Sequence, residues 1–379
     1  MKPEAAICSD ATVAFDVTSM NVNRVGTGIY TRQLTEALRS IIGPRLHPVS
    51  FDALTRQEGK KSPRQRLMTL VHDLWWMQSG VERAAHNVGA SLLHVPVPLG
   101  PTRSRIPLVV TIQDIAILRF PHKFRLWSRT FGKFVLPKVA RSAHSIIAPS
   151  LATKADIVNA LGIPEERVTL IPNGVGAEFN PHALADDRVR RLRARHNLPE
   201  RFLFTVGALE PRKNIVRLLH AVHRLRAEPD TSDLQLLHAG PPGWLAGDVR
   251  ETMMRLKLQD AVRFLGYVQT DDLATLYAAA TVVVYPSLFE GFGLPVAEAL
   301  ACGAAVITSN TSSLPEVGGD SALLIDPLSI ESIAGAIAKL WRDDQARAEM
   351  SRRGLQHASN YSWNRTARET AALYQRLLS

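Results

Sequence analysis

Leu288-Phe-Glu-Gly-Phe-Gly-Leu-Pro-Val-Ala-Glu-Ala-Leu-Ala-Cys-Gly303 follows one apolar run, Thr281–Tyr285, and precedes another, Ala304–Thr308. The runs predict buried strands. Between them Pro295 stands at a first helical position and Gly303 where the helix Val296–Cys302 stops. Strand, loop, helix and strand in this order are the repeating unit of a parallel sheet covered by helices. Glu290 lies in the loop and Glu298 in the helix, so both carboxylates come to the carboxyl end of the sheet, where open α/β sheets bind ligands. Two glutamates on a helix are usually a solvated face. The apolar strands on either side argue for a site instead. Gly291 and Gly293 let the backbone approach a ligand, and the amides of the turn at Pro295 face an anion.

The same unit repeats along the chain. Apolar runs at Thr12–Val17, Leu46–Phe51, Ser91–Val95, Leu108–Ile112, Ser145–Ala148 and Val168–Ile171 predict one parallel sheet. After an irregular stretch at 180–200, runs at Arg201–Val206, Leu234–Leu237, Val262–Leu265, Thr281–Tyr285, Ala304–Thr308 and Ala322–Ile325 predict a second. The expected organisation is a first Rossmann-like domain over 1–185, a second over 186–360 and a terminal helical segment over 361–379. A chain of 379 residues with 46% hydrophobic content can bury two such cores.

Composition narrows the function classes. Cys8 and Cys302 fit neither a disulfide framework nor a zinc site. No apolar run approaches the roughly 20 residues of a membrane-spanning helix, and Met1–Asp10 carries no signal-peptide core, so a cytoplasmic location is expected. The formal charge of +10 is uneven: residues 1–182 carry 22 Lys and Arg against 13 Asp and Glu, a net +9. That half should meet something acidic, such as a phosphate-bearing substrate, an anionic membrane face or nucleic acid.

Four further stretches carry chemistry. In Phe204-Thr-Val-Gly-Ala-Leu-Glu-Pro-Arg-Lys-Asn214 a strand ends at Gly207, and Arg212 and Lys213 precede a helix that Asn214 could cap. Two cations beside a helix start suit a diphosphate, Arg through its fork of donors and Lys as a point charge. Gly26-Thr27-Gly28 joins the opening strand to a helix as a phosphate cradle, an imperfect dinucleotide fingerprint or a simple turn. Val109-Val-Thr-Ile-Gln-Asp114 ends a strand with Gln113 and Asp114 at the carboxyl edge, facing the second domain, though an Asp there can equally cap a neighbouring helix. Residues 123–141 contain six Lys or Arg and no acid, with Phe124, Trp127, Phe131, Phe134 and Val135 on one helical face and Arg125, Arg129 and Lys133 opposite. Such a helix lies in a domain surface or on an anionic membrane.

Taken together, Gly26–Tyr30, Thr111–Asp114, Ile171-Pro-Asn-Gly-Val175, Gly207 with Arg212-Lys213-Asn214, the Glu290/Glu298 pair, Ser313-Leu-Pro-Glu-Val317 and Tyr361-Ser-Trp-Asn-Arg-Thr366 resemble the family 4 retaining glycosyltransferases. The resemblance covers nearly the whole chain and implies the α/β GT-B fold of two facing Rossmann-like domains, the last helix crossing back onto the first. It implies that Arg212 and Lys213 hold a donor diphosphate with the Gly26–Gly28 amides nearby. Glu290 would bond the transferred sugar beside the amides of Phe292, Gly293 and Leu294, and Glu298 would hold the ribose. Gly266, Tyr267 and Val268 fall where the family receives the base. The family usually has His where this chain has Gln113, which cannot transfer a proton.

The sequence contains no Asp-x-Asp pair, so fixed cations rather than a metal are expected to carry the leaving charge, with no cofactor. The expected activity moves a hexose, on resemblance mannose from GDP-mannose, to a saccharide or polyprenyl-linked acceptor in surface polysaccharide or O-antigen assembly. A nucleotide-sugar epimerase would instead convert donor alone. A basic nucleic-acid-binding protein would bind sequence tightly yet shows no reader motif. A nicotinamide-dependent dehydrogenase would need a better glycine loop.

Overall fold

The computed structural model describes residues 11–22, 26–53, 63–121, 126–184, 186–243 and 246–379. These form two compact units, one of residues up to Gly174 with Ser362–Ser379 and one of Val175–Tyr361. Residues 175–185, assigned to the first domain on sequence, lie in the second unit, and the terminal helix Trp363–Leu378 lies in the first.

Six strands form the first sheet: β1 (Val13–Asp16), β2 (Leu46–Val49), β3 (Leu92–Val95), β4 (Leu108–Thr111), β5 (Ser145–Ala148) and β6 (Val168–Leu170). All pair in parallel in the order β2-β1-β3-β4-β5-β6. Both faces of the inner strands are covered, and β1, β3, β4 and β5 are buried at every position rather than at alternate ones. Ala14, Leu93, Val110 and Ile146 enter one core, and Val13, Phe15, Val109 and Ile147 enter the other. In that second core Trp363, Ala367, Ala371 and Tyr374 of the terminal helix pack with Tyr30, Leu34 and Leu38 of helix α1 (Thr27–Ile42). Gly174 is required where the chain leaves this unit, because a Cβ there would overlap the backbone of Ser362 and Trp363.

The second sheet contains β7 (Leu203–Val206), β8 (Leu236–Ala239), β9 (Val262–Gly266), β10 (Val282–Tyr285), β11 (Val306–Ser309) and β12 (Ala322–Ile325). It is also parallel, in the order β12-β11-β10-β7-β8-β9. The direction of winding reverses between β7 and β10. In doubly wound sheets the crevice at that switch is the ligand site. Both loops that open from it are those singled out by sequence: β7 runs into Arg212 and Lys213, and β10 runs into Glu290. Helix α2 (Ile215–Arg226) buries Ile215, Leu218, Leu219, Val222 and Leu225 on the sheet, the stripe that its periodicity predicts.

Candidate functional site

Burial and charge meet at Glu290. The residue is only 7% exposed, and its carboxylate accepts four hydrogen bonds from side chains of the β7 loop, the last residue of β10 and the β10 loop. Oε1 receives Lys213 Nζ at 2.7 Å, Ser287 Oγ at 2.6 Å and the Tyr285 hydroxyl at 2.9 Å. Oε2 receives Arg212 Nη1 at 2.9 Å. Lys213 also donates to Tyr285, whose ring its ammonium overlies at 4.9 Å. Burial alone would push the Glu290 carboxyl up, but Lys213 and Arg212 outweigh it and hold the carboxyl at about 2. The site is therefore one buried anion between two cations.

The loops are tied as firmly as the side chains. Arg212 O accepts from Leu288 N at 2.8 Å and from Ser287 Oγ at 3.0 Å, and Arg212 Nη1 reaches Phe289 O at 3.1 Å. Ser312 Oγ receives Glu290 N at 3.0 Å, while Ser313 Oγ bonds the carbonyls of Glu290 and Phe292. Arg212 and Lys213 sit in a 3-10 turn, Pro211–Lys213. Asn214 does not cap α2 with its side chain as the sequence suggested. A capping residue needs extended backbone, whereas Asn214 is left-handed at φ 60°, and its amide instead donates to Pro286 O at 3.0 Å and Pro327 O at 2.7 Å. It clamps the β10 exit to the β12 exit.

Close backbone approach explains two glycines. Gly207 has φ 135°, and a Cβ there would stand 3.2 Å from Lys213 Cε; Gly240, at φ 146°, leaves no room for a Cβ against the Gly207 carbonyl. Gly293, at φ 103°, precedes helix α3 (Leu294–Ala301). Leu294 is its first residue, where an amide lacks a partner inside the helix. Phe292 packs edge-on to Tyr361 at 5.4 Å, and its carbonyl is held by Ser313 Oγ.

Glu298 is placed differently. It is buried within α3 with the Tyr277 hydroxyl at 3.2 Å from Oε2, and no cation pairs it among the described residues. Burial raises its carboxyl to about 7, and Glu178 adds to the rise. Tyr267 is half-exposed beyond the end of β9, Val268 is partly buried, and Gly266 has φ 69°.

In the first unit Gly26, at φ 54°, precedes α1, and Gly28 is buried in the first turn behind Thr27. Gln113 and Asp114 follow β4 at the carboxyl edge. Gln113 Oε1 accepts from Asn173 Nδ2 at 2.9 Å, and Asp114 Oδ1 accepts from Ala116 N at 2.9 Å, the helix-start role that was its alternative. These residues belong to a different compact unit from Glu290. Of the basic segment 123–141, residues 123–125 (Phe124 and Arg125 among them) and the side chain of Trp127 lie outside the described part. The remainder is broken into Leu126–Phe134 and Leu136–Ser142; Arg129, Lys133 and Phe134 are exposed, whereas Val135 packs on the core. No cluster of three metal-ligating side chains occurs among the described residues.

Comparison with known proteins shows the family. The profile for "Glycosyl transferases group 1" matches residues 189–357, and that for "Glycosyltransferase Family 4" matches residues 26–179. "O-antigen chain mannosyltransferase B" of Escherichia coli is 32% identical over 71% of this chain and 70% of its own length. The chain belongs to the group 1 glycosyltransferases. "Serotype-specific mannosyltransferase WbdA" of Escherichia coli is also 32% identical, but the chain spans only 31% of that longer protein. Sucrose-phosphate synthase from Thermosynechococcus elongatus superposes with a TM-score of 0.77 at 23% identity, covering 97% of this chain and 99% of that one. The fold of this glycosyltransferase is thus GT-B.

Sequence reasoning found Arg212, Lys213 and Glu290, which the structure brings together. It missed Tyr285, Ser287 and Ser312, which hold Glu290 in place. Tyr285 carried a legible signal, a phenol on the last residue of an otherwise aliphatic strand; the serines carried none.

Proposed function

We propose that this glycosyltransferase is a retaining, metal-independent hexosyltransferase that moves mannose from GDP-mannose to a saccharide or polyprenyl-linked acceptor in surface polysaccharide assembly. The observation that carries the site assignment is the Glu290–Arg212–Lys213 cluster at the β7/β10 switch point. Arg212 and Lys213 neutralise the departing diphosphate, a task fixed cations perform without reorganising in the transition state. Glu290 orients the sugar through its hydroxyls, with the Gly293 and Leu294 amides beside it. Glu298 meets the ribose, and the Gly266–Val268 segment meets the base. Gln113 bonds a sugar hydroxyl without transferring a proton, and the acceptor attacks from the face the diphosphate leaves. The relatives named as O-antigen and serotype mannosyltransferases support the donor sugar and the class of product.

The enzyme works at the cytoplasmic face of the membrane, where a lipid-linked acceptor lies. Among the described residues no helix is long and apolar enough to span a bilayer, so contact would be peripheral. The exposed Arg129, Lys133 and Phe134 suit that contact.

Thermal-shift titration with GDP, UDP, ADP and their sugars, with and without a chelator, tests donor and metal together. The largest rise is expected with GDP-mannose and should survive chelation; a UDP-sugar preference would replace the donor, and loss on chelation would end the metal-free reading. Reaction with donor alone should give slow hydrolysis at most, since conversion to another nucleotide sugar would identify an epimerase. Charge reversal at Arg125, Arg129 and Lys133 should weaken vesicle binding, and unchanged binding would reject that contact.

A further inference from the structure

One side chain that touches Glu298 is used by none of the chemistry above. Tyr277, on the helix Thr270–Ala279, is fully buried, and its hydroxyl donates to Glu298 Oε2 at 3.2 Å. Its ring lies edge-on to Phe204 of β7 at 5.4 Å and tilted against Phe179 at 6.0 Å. Two aromatic contacts within the core fix the ring, and with it the direction of the hydroxyl. The other carboxylate oxygen, Oε1, accepts no hydrogen bond among the described residues. One oxygen is therefore held and the other is open to a donor.

Glu290 is kept ionised by Arg212 and Lys213, but Glu298 has no such pair. The titratable groups that face it are Tyr277, Glu178 from the segment before β7, Tyr285 at the end of β10 and Cys302 at the end of α3. Burial and Glu178 oppose its ionisation, and the Tyr277 hydrogen bond favours it. Burial also holds the Tyr277 phenol well above its usual range, so it stays protonated and a donor around neutral pH. Ionisation matters because a carboxylate only accepts, whereas a protonated carboxyl turns a donor outward on one oxygen. A ribose diol brings two hydroxyl donors, and only the ionised form can accept both.

We propose that Tyr277 is a positioning residue for nucleotide recognition, its hydroxyl keeping the Glu298 carboxylate ionised and turned so that Oε1 meets a ribose hydroxyl. The inference rests on the reading of Glu298 as the ribose contact and adds the residue through which that contact is maintained near neutral pH.

Isothermal titration of the full chain with GDP and with 2′-deoxy-GDP, between about pH 6 and pH 8.5, tests it in the wild type, Tyr277→Phe and Glu298→Gln. The ratio of the two affinities cancels the titration of the diphosphate, which both nucleotides share. Tyr277→Phe loses one oxygen and keeps the ring packing, and urea unfolding without nucleotide checks that it folds. Since the Glu298 carboxyl is raised to about 7, its ionised fraction grows with pH. The wild type should therefore favour GDP by a ratio that climbs through pH 7 to about tenfold or more. In Tyr277→Phe the climb should move to higher pH, leaving the ratio at pH 7 at least about threefold lower and recovering toward pH 8.5. Glu298→Gln should give a small ratio that does not change with pH. A wild-type profile in Tyr277→Phe overturns the proposal, and so does a ratio lowered by one factor at every pH, which would leave the tyrosine a packing role only. A wild type that does not discriminate at any pH, or discrimination that survives in Glu298→Gln, defeats the ribose reading itself and the part of Tyr277 with it.

Discussion

Replacing Glu290 with Gln keeps the shape of the side chain and removes the charge on which Arg212 and Lys213 converge. The buried carboxyl is held at about 2 by Lys213 and Arg212, against an ordinary value of 4.5. At about 1.4 kcal/mol per pH unit, that difference corresponds to roughly 3 kcal/mol of stability in the donor-free protein at pH 7. The sign follows from the depressed value: the contribution is complete above pH 4.5 and is lost as pH falls toward 2. Urea unfolding of both proteins at several pH values should therefore give a gap of roughly 3 kcal/mol at pH 7 that narrows progressively as pH falls through 4 toward 2. Turnover should fall at least about a hundredfold, the scale of a lost charged contact to the reacting group. Binding of GDP alone should hold or tighten, because the diphosphate no longer competes with an internal carboxylate for the same two cations. A pH-independent stability gap would show that the ion pair does not hold the loops together. Wild-type turnover would remove Glu290 from the chemistry.

Glu298→Gln should show the opposite pH dependence. Its carboxyl is raised to about 7, so ionisation costs stability as pH rises from 4.5 through 7, and the variant should gain up to about 3 kcal/mol at pH 8 and nothing at pH 4 in urea titrations. Asn214→Ala should cost about 2–4 kcal/mol by losing both carbonyl contacts and straining the left-handed backbone, whereas Asn214→Gly should recover only the backbone part; equal losses in chemical denaturation would contradict that division. Gly240→Ala should destabilise the second unit by about 3 kcal/mol or more, because its Cβ has no space beside the Gly207 carbonyl, and differential scanning calorimetry should register this as a lowered Tm. Lys213→Met should leave the fold intact but raise the KM for the nucleotide sugar and lower kcat; an unchanged KM with normal kcat would place the diphosphate elsewhere.

How much of this the sequence disclosed depended on the range of the interaction. The inner strands were legible because a parallel strand covered on both faces reads as an apolar run, whereas the edge strands β2 and β9 interrupt theirs with His47, Pro48 and Arg263. Glu290, Arg212 and Lys213 were legible as loop residues after such runs. Their contact was not, since it depends on β7 and β10 being neighbours, 75 or more residues apart in the chain, and strand order leaves no local mark. Asn214 shows the limit most clearly. Asn before an amphipathic stretch favours a cap on local grounds, but the carbonyls of Pro286 and Pro327 were within reach and turned its amide to them. The same limits fix where substitutions will inform. Changes at Glu290 test contacts that strand order creates, whereas changes at Asn214 test a clamp that the local sequence conceals.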